Sequence, residues 1–454
     1  MNVLAKDRQF YQKVMQIAVP IMIQNFLGQF LNMVDTIMVG RLGETEIAAV
    51  GIANQYFFFF HMVLIGICSG CGIFIAQYWG KRDTVNIKRI LGLGLSSVTA
   101  IAVLFIAVGI SKPKMIIALF NQEPLILKLG SQYLQIILIA YLFSAITFMY
   151  QSALRSIGNT VLPMFLSVLG LICNVVLNYA LIFGNLGLPA LGVQGAAIAT
   201  VIARIVETVA LILAVYLGKE VIAASIKEML DFTFSYIKDV YKTVMPVVLN
   251  DICWGLASIV YVAVYGRMGS QAVAAVQIGN TINNLFMIVI FGLSAAASVM
   301  IGNSIGAGQE ELSLEYARKS ISLSLFAGIT LGAALAISSP FIIKLFNVSA
   351  EVAYSTQIIL YIMAAVLVVR MVCIILITGV LRGGGDARQA LIIEGFTMWF
   401  IGVPLTLLGA FVFRLPIHFV YALTMVEEMV KCILAAARVR SGRWIKDVTQ
   451  SVRS

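Results

Sequence analysis

Val34-Asp35-Thr36-Ile37-Met38-Val39-Gly40-Arg41-Leu42-Gly43 opens a pattern that returns 226 residues later as Val260-Tyr261-Val262-Ala263-Val264-Tyr265-Gly266-Arg267-Met268-Gly269. In both copies an apolar run ends in Gly-Arg-x-Gly, and Ala48-Ala49-Val50 beyond it matches Ala274-Ala275-Val276. The same offset sets Pro20 on Pro246, Asn54 on Asn280 and Gly80 on Gly306, with no gap between. One added residue brings Leu154-Arg155 and Gly158 onto Leu381-Arg382 and Gly385. The chain is therefore a tandem duplication. We expect a first lobe over 1–217, a linker over 218–239, and a second lobe over 240–454 that ends in a basic tail.

Composition decides the solvent of this duplication. Of 454 residues, 61% are hydrophobic and 11% charged, with a mean hydropathy of +0.98. Soluble domains carry about 45–50% apolar and about 25% charged residues. A chain this apolar has too little polar surface to face water. Spans are expected near 14–39, 46–78, 91–111, 132–153, 160–184, 192–217, 240–265, 272–301, 320–339, 355–380, 388–413 and 416–437. Each has about 20 or more mostly apolar residues, enough to cross a hydrocarbon core of about 30 Å. The fold class is thus all-α integral membrane, with twelve transmembrane helices in two pseudo-symmetric six-helix bundles. An even number of spans per half makes the repeat parallel, an arrangement that suits a cleft between lobes and alternating access.

The net charge of +10 could point to nucleic acid, but its placement is topological. Lys6, Arg8, Lys13, Lys81, Arg82, Lys88, Arg89, Arg155, Lys219, Lys227, Lys238, Lys242, Arg318, Lys319, Arg382, Arg388, Arg438, Arg440, Arg443, Lys446 and Arg453 fall on one side. Arg41, Lys112, Lys114, Lys128, Arg267, Lys344 and Arg414 fall on the other. The positive-inside rule puts the richer side, and both termini, in the cytoplasm. A cell (plasma or inner) membrane protein results, with lipid around it and no nucleic-acid partner. The first apolar segment is too long for a signal peptide and lacks its cleavage site. All six cysteines lie inside spans, where packing accounts for them.

A carboxylate inside hydrocarbon costs about 3 kcal/mol on insertion scales, so intramembrane acids read as functional. Helix 1 carries Asn25, Gln29, Asn32, Asp35 and Thr36 on one face, a stripe suited to a water-lined cavity. Asn174 and Asn178, one turn apart on helix 5, either contact Asp35 or bond helices together. In the second half, Asp251, Trp254, Ser258 and Tyr261 share a face of helix 7, and Gln277, Asn280 and Asn283 lie on helix 8. They read as the facing wall of the same cleft. Asp251 is either a second ionisable site or a polar anchor. Arg370 needs a partner, for which Asp251 and Glu394 are candidates; Arg204 with Glu207, and Glu427 and Glu428 with Lys431, are spaced for local pairing. One or two rings of Phe57–Phe60 could line a cleft, where aromatic and Met side chains suit hydrophobic cations.

Neither a Walker A loop nor a zincin, nucleophile-elbow or kinase motif is found. ATP-driven transport and the corresponding enzyme classes are set aside, no cofactor is expected, and ion coupling remains.

Val34–Gly43 with Ala48-Ala49-Val50-Gly51 resembles the opening signature of the multidrug and toxic compound extrusion (MATE) family. Leu154-Arg155-Ser156-Ile157-Gly158-Asn159-Thr160, Gly192-Val193-Gln194-Gly195-Ala196-Ala197, Leu381-Arg382-Gly383 and Gly402-Val403-Pro404-Leu405 extend the resemblance along the chain. It implies a twelve-helix V-shaped exporter of cationic, amphipathic small molecules, driven by inward H⁺ or Na⁺ and acting as a monomer. The helix 1 acid, here Asp35, is then the coupling residue, with Tyr133, Asn174 and Asn178 as its partners. Asp35, Asn174 and Asn178 are the implied Na⁺ ligands. Many relatives have a second acid where this chain has Asn178, and one fewer carboxylate weakens a cage for a hard cation. NorM-like members carry acids where this chain has Trp254 and Met371, so the chain looks closer to the DinF-like branch, with coupling centred in the first lobe. The alternative is a lipid-linked saccharide or lipid flippase of the same wider superfamily. Such flippases favour several cationic cavity residues, and the spans here offer chiefly Arg204 and Arg370.

Overall fold

The computed structural model describes residues 3–344, 346 and 348–452, with the side chains of residues 3–6 excepted. The side chain of Lys6 and all of Arg453, both counted in the charge asymmetry, lie outside the described residues. The described chain is helical throughout its spans. We number the long helices α1 (Val3–Gly40), α2 (Glu44–Lys81), α3 (Thr84–Ser111), α4 (Pro124–Ser156), α5 (Val161–Phe183) and α6 (Val193–Leu217) in the first repeat. The second repeat holds α7 (Phe234–Arg267), α8 (Ser270–Gly306), α9 (Glu310–Ile343), α10 (Ala350–Arg382), α11 (Ala387–Val412) and α12 (Ile417–Arg440).

The first eleven are long and apolar enough to cross a membrane. The twelfth is long enough, but Glu427, Glu428, Lys431, Arg438 and Arg440 lower its apolarity. Within the long helices, among the described residues, three segments depart from α geometry: Ile375–Arg382 at the end of α10, and Met398–Gly402 and Leu408–Val412 within α11, are π-helical. Single π turns of this kind recur at functional sites. Here one of them carries Arg382.

The duplication seen in the sequence is repeated in backbone geometry. Gly158 and Gly385 take φ of 88° and 85°, a left-handed conformation that glycine adopts without strain. Each closes the same turn. Asn159 N donates to Leu154 O at 2.9 Å in the first repeat, and Asp386 N donates to Leu381 O at 2.8 Å in the second.

Packing divides the chain into two units. One holds Ile23–Val240; the other holds the described residues up to Met22 together with Tyr241–Val452. The sequence repeat thus begins at the start of the chain, while the first packing unit begins inside α1. Phe10, Val14, Ile17, Ala18 and Ile21 of α1 belong to the same buried cluster as Ile290, Leu293, Met371 and Leu376. Within the first unit α4 is the hub, packed on α2, α3 and α6, with α5 against α6. Its repeat counterpart α10 packs on α8, α9 and α12 in the other unit.

The linker is clasped to α3. Its short helix Ile226–Met229 is closed by a capping box between Ser225 and Glu228. Lys88 pairs with Glu228 at 2.8 Å and Arg89 with Asp231 at 2.5 Å. Lys88, followed by the Ser225 backbone and hydroxyl donors, holds the Glu228 carboxyl down at about 2. A depressed acid of this kind supports structure above its unfolded value and loses that support only as pH falls through the folded one. The clasp is therefore intact throughout the neutral range. Close approach depends on Gly92, where a methyl group would meet the Met229 carbonyl. Gly92→Val is expected to lift the linker from α3, read as faster limited proteolysis between Gly218 and Asp231; an unchanged cleavage rate would rule this out.

Candidate functional site

α1 delivers Asp35 half-buried into the first unit, one turn before the helix ends at Gly40. Asn178 of α5 donates from Nδ2 to Asp35 Oδ1 at 2.5 Å and to Asn174 Oδ1 at 2.9 Å. Asn174 Nδ2 in turn donates to Thr200 Oγ1 of α6 at 3.2 Å, and that hydroxyl donates to Ala196 O. Of the two roles open to the asparagine pair, contact with the acid and bonding between helices, they perform both. Asn174 and Asn178 are 2% and 1% exposed, so the amide pair is shut away from water, while Asp35 and Thr200 at its two ends are half-buried.

Both protons of the Asn178 amide are engaged, yet its Oδ1 is buried and accepts nothing. A buried acceptor without a donor costs about 1–3 kcal/mol. A proton on Asp35, after the amide turns over, or a cation beside the carboxylate would fill that vacancy. Tyr133, 5% exposed on α4, lies within electrostatic range of Asp35. The four residues named from the resemblance are thus brought to one place, with Thr200 added. Asp35, Asn174, Asn178 and Thr200 supply the oxygens that could hold a monovalent cation.

A second network lies deeper in the same unit. Glu207, 3% exposed, receives Arg204 Nη1 at 2.7 Å, Ser167 Oγ at 3.0 Å and Gln151 Nε2 at 3.2 Å. Gln24 Nε2 donates to Ser167 Oγ at 2.8 Å and to Gln151 Oε1 at 3.0 Å. Arg204 lies within electrostatic range of Asp35 and His61. The expected Arg204–Glu207 pair forms, and Ser167, Gln151 and, behind them, Gln24 join it from positions that no sequence spacing relates. Gln24 sits one position off the helix 1 stripe, which is why the stripe did not include it.

In the Phe57–His61 run Phe60 is buried, Phe58 is exposed, and Phe57, Phe59 and His61 are half-buried. Phe60 is fully buried and stacks on Tyr141 at 4.7 Å, and Phe57 meets Tyr141 edge-on at 5.3 Å.

In the other unit, Asp251 pairs with Arg382 Nη2 at 2.7 Å, not with Arg370. The π turn at the end of α10 carries Arg382 to it. Arg370 faces Glu428 at 3.9 Å and Asn283 Oδ1 at 3.4 Å, so neither Asp251 nor Glu394 is its partner. Tyr261 donates to Glu427 Oε2 at 2.6 Å. Among the side chains assigned to a cleft, Gln29, Asn32, Trp254 and Gln277 are exposed and Asn280 half-buried, whereas Asp251 and Tyr261 are committed to these internal partners.

A family model described as MatE matches residues 20–180 and again 246–408, each copy beginning at the repeat's proline, Pro20 or Pro246. The chain is 26% identical over 439 residues to the "Uncharacterized transporter YisQ" of Bacillus subtilis, covering 94% of this chain and 93% of that one. It is 24% identical over 447 residues to the "Probable multidrug resistance protein NorM" of Thermotoga maritima, covering 98% and 96%. A crystal structure of MATE in the bent conformation superposes with a TM-score of 0.86 at 19% identity, over 98% of this chain and 97% of that one. That likeness carries the fold.

Proposed function

Because the chain belongs to the MatE family of multi-pass membrane transporters, and is not an enzyme, we propose that it is a secondary antiporter exporting cationic, amphipathic drugs or related metabolites by alternating access. Inward H⁺ or Na⁺ drives it, and Asp35 of the first repeat is the coupling residue, as in a DinF-like member. The similarity to a relative named for multidrug resistance supports the substrate class. The observation that carries the coupling role is the Asp35–Asn178 contact beside the vacant Asn178 Oδ1. A site with one carboxylate and one unfilled acceptor has room for a single positive charge. Gln29, Asn32, Trp254, Gln277 and Asn280 remain the proposed substrate contacts, whereas Asp251 and Tyr261, first assigned to the same cleft, are held by Arg382 and Glu427. The excess of basic residues on one side supports a cell-membrane protein with both termini facing the cytoplasm, working as a monomer in lipid.

The flippase alternative needs free cations to hold pyrophosphate. Arg204 and Arg370 both face carboxylates, which favours export of cations.

Reconstitution into liposomes under an imposed ΔpH or ΔNa⁺ tests the reading. Efflux of a fluorescent cationic drug should follow at least one gradient; efflux indifferent to both would overturn it. With one carboxylate, the wild-type site should respond chiefly to ΔpH. Asn178→Asp supplies the second charged oxygen that a hard cation prefers. It is expected to raise the response to ΔNa⁺ about tenfold, equivalent to about 1.4 kcal/mol of binding, and an unchanged Na⁺ response would exclude Asn178 as a ligand position.

A further inference from the structure

The duplication runs past the last helix of each repeat. After α6 the linker folds back on the turn between α4 and α5, where Asn159 Nδ2 donates to Glu220 Oε1 at 3.0 Å. After α12 the tail does the same to the turn between α10 and α11, where Lys446 Nζ donates to Asp386 Oδ1 at 2.7 Å. Lys446 stands 226 residues after Glu220, and Asp386 stands 227 after Asn159, the offsets of the repeat itself. The polarity is exchanged: the acid is on the strap in the first copy and on the turn in the second.

In the second copy the strap grips the turn at several points. The Asp386 side chain is fully buried, and its other oxygen accepts from Arg438 Nε at 2.7 Å. Lys446 N donates to Gly384 O at 2.8 Å, so backbone as well as charge holds the tail down. Trp444 is fully buried and belongs to the same apolar cluster as Val380, Leu381 and Ala435. A methyl group at Gly384 would strike the Trp444 ring, and one at Gly383 would strike the Ser298 backbone of α8. The stretch 383–386 is therefore clamped between the tail and α8.

Immediately before that stretch, the π-helical Ile375–Arg382 aims Arg382 Nη2 at Asp251 Oδ1, 2.7 Å away. Gly384 is two positions from Arg382, and the glycines between ring and arginine have no side chain to absorb a shift of the ring. Packed elements of this kind pass displacement along rather than yield to it. The clasp is nonetheless incomplete: Trp444 Nε1 is buried and donates to nothing. A buried donor without an acceptor opposes the closed state, and release of the tail into water would satisfy it.

We propose that residues 441–452 form a releasable latch on the α10–α11 turn, closed by Trp444 and by the Asp386 ion pairs, whose seating holds Arg382 on Asp251. Linkage makes the coupling reciprocal: loosening the tail weakens the pair, and breaking the pair loosens the tail. The latch does not depend on which ion or substrate the transporter carries.

Trp444 itself reports on the latch. In the purified full-length protein in lipid nanodiscs, with Trp79, Trp254 and Trp399 replaced by Phe, Trp444 should emit at short wavelength and resist quenching by acrylamide. Lys446→Gln should raise its quenching constant about tenfold, as local opening of one segment does. Asp251→Asn, which alters neither the tail nor the turn, should raise it by a similar factor. Read from the other end, Lys446→Gln and truncation after Arg440 should each speed amide hydrogen exchange over Ile375–Arg382 about tenfold. Exchange over Val193–Leu217 in the first repeat should stay at the wild-type rate, which shows that the variants are folded. A Trp444 freely quenched in the parent protein overturns the latch. Quenching unmoved by Asp251→Asn, or exchange over Ile375–Arg382 unmoved in both tail variants, overturns its coupling to the pair.

Discussion

Asp35→Asn is expected to reduce drug resistance to that of cells lacking the protein, while leaving the amount of protein in the membrane unchanged. The two halves of this expectation have one cause. Asparagine has the shape of aspartate, so its oxygen still accepts from Asn178 Nδ2 as Asp35 does at 2.5 Å. Its new amide protons can reach Asn178 Oδ1, the buried acceptor that is vacant in the wild-type chain. Removing an ionisable group from hydrocarbon relieves a cost of about 3 kcal/mol. Folding is therefore held or improved, and only the ability to take up and release a positive charge is lost. Growth in graded concentrations of a cationic drug, with immunoblots of the membrane fraction, checks both halves. Wild-type resistance in this variant would remove Asp35 from the coupling role.

Glu207→Ala is expected to act through stability. The substitution takes the shared acceptor from Arg204, Ser167 and Gln151 at once and leaves a guanidinium without its partner. Breaking a buried ion pair from one side costs about 3–5 kcal/mol. That is a large share of a typical folding free energy of about 5–15 kcal/mol. Arg204 is about one-third exposed, which places the expected loss at the lower end. Glu207→Gln keeps an oxygen for Ser167 and should lose less. Thermal unfolding of the purified protein in detergent should rank wild type above Glu207→Gln above Glu207→Ala. Equal melting temperatures would mean that the network contributes nothing to holding α4, α5 and α6 together.

The two networks differ in how far they could be read from the residues. Asp35, Asn174 and Asn178 were legible because each is a polar group in an apolar span, and because spacings of three and four put them on single helix faces. Their joining also follows the resemblance carried by Val34–Gly43. Partners from distant helices were not legible. Gln24 and Gln151 are 127 residues apart, and no periodicity relates them. The partner of Arg370 is illegible for the same reason: the choice among Asp251, Glu394 and Glu428 depends on the π turn at Ile375–Arg382. That turn carries Arg382 to Asp251 and leaves Arg370 to α12.

What the residues determined by themselves is everything that depends on composition, period and repetition: an all-helical membrane chain, its duplication with a 226-residue offset, and the acid on helix 1. These follow from local rules, since a span must satisfy its own backbone hydrogen bonds in lipid whatever its neighbours do. Only the tertiary structure decided that the first part of α1, up to Met22, packs in the second unit, and which buried charges meet. The reason is that partner choice inside a bundle is a matter of helix rotation and packing distance, and one turn of π-helix redirects a side chain without a mark in the sequence.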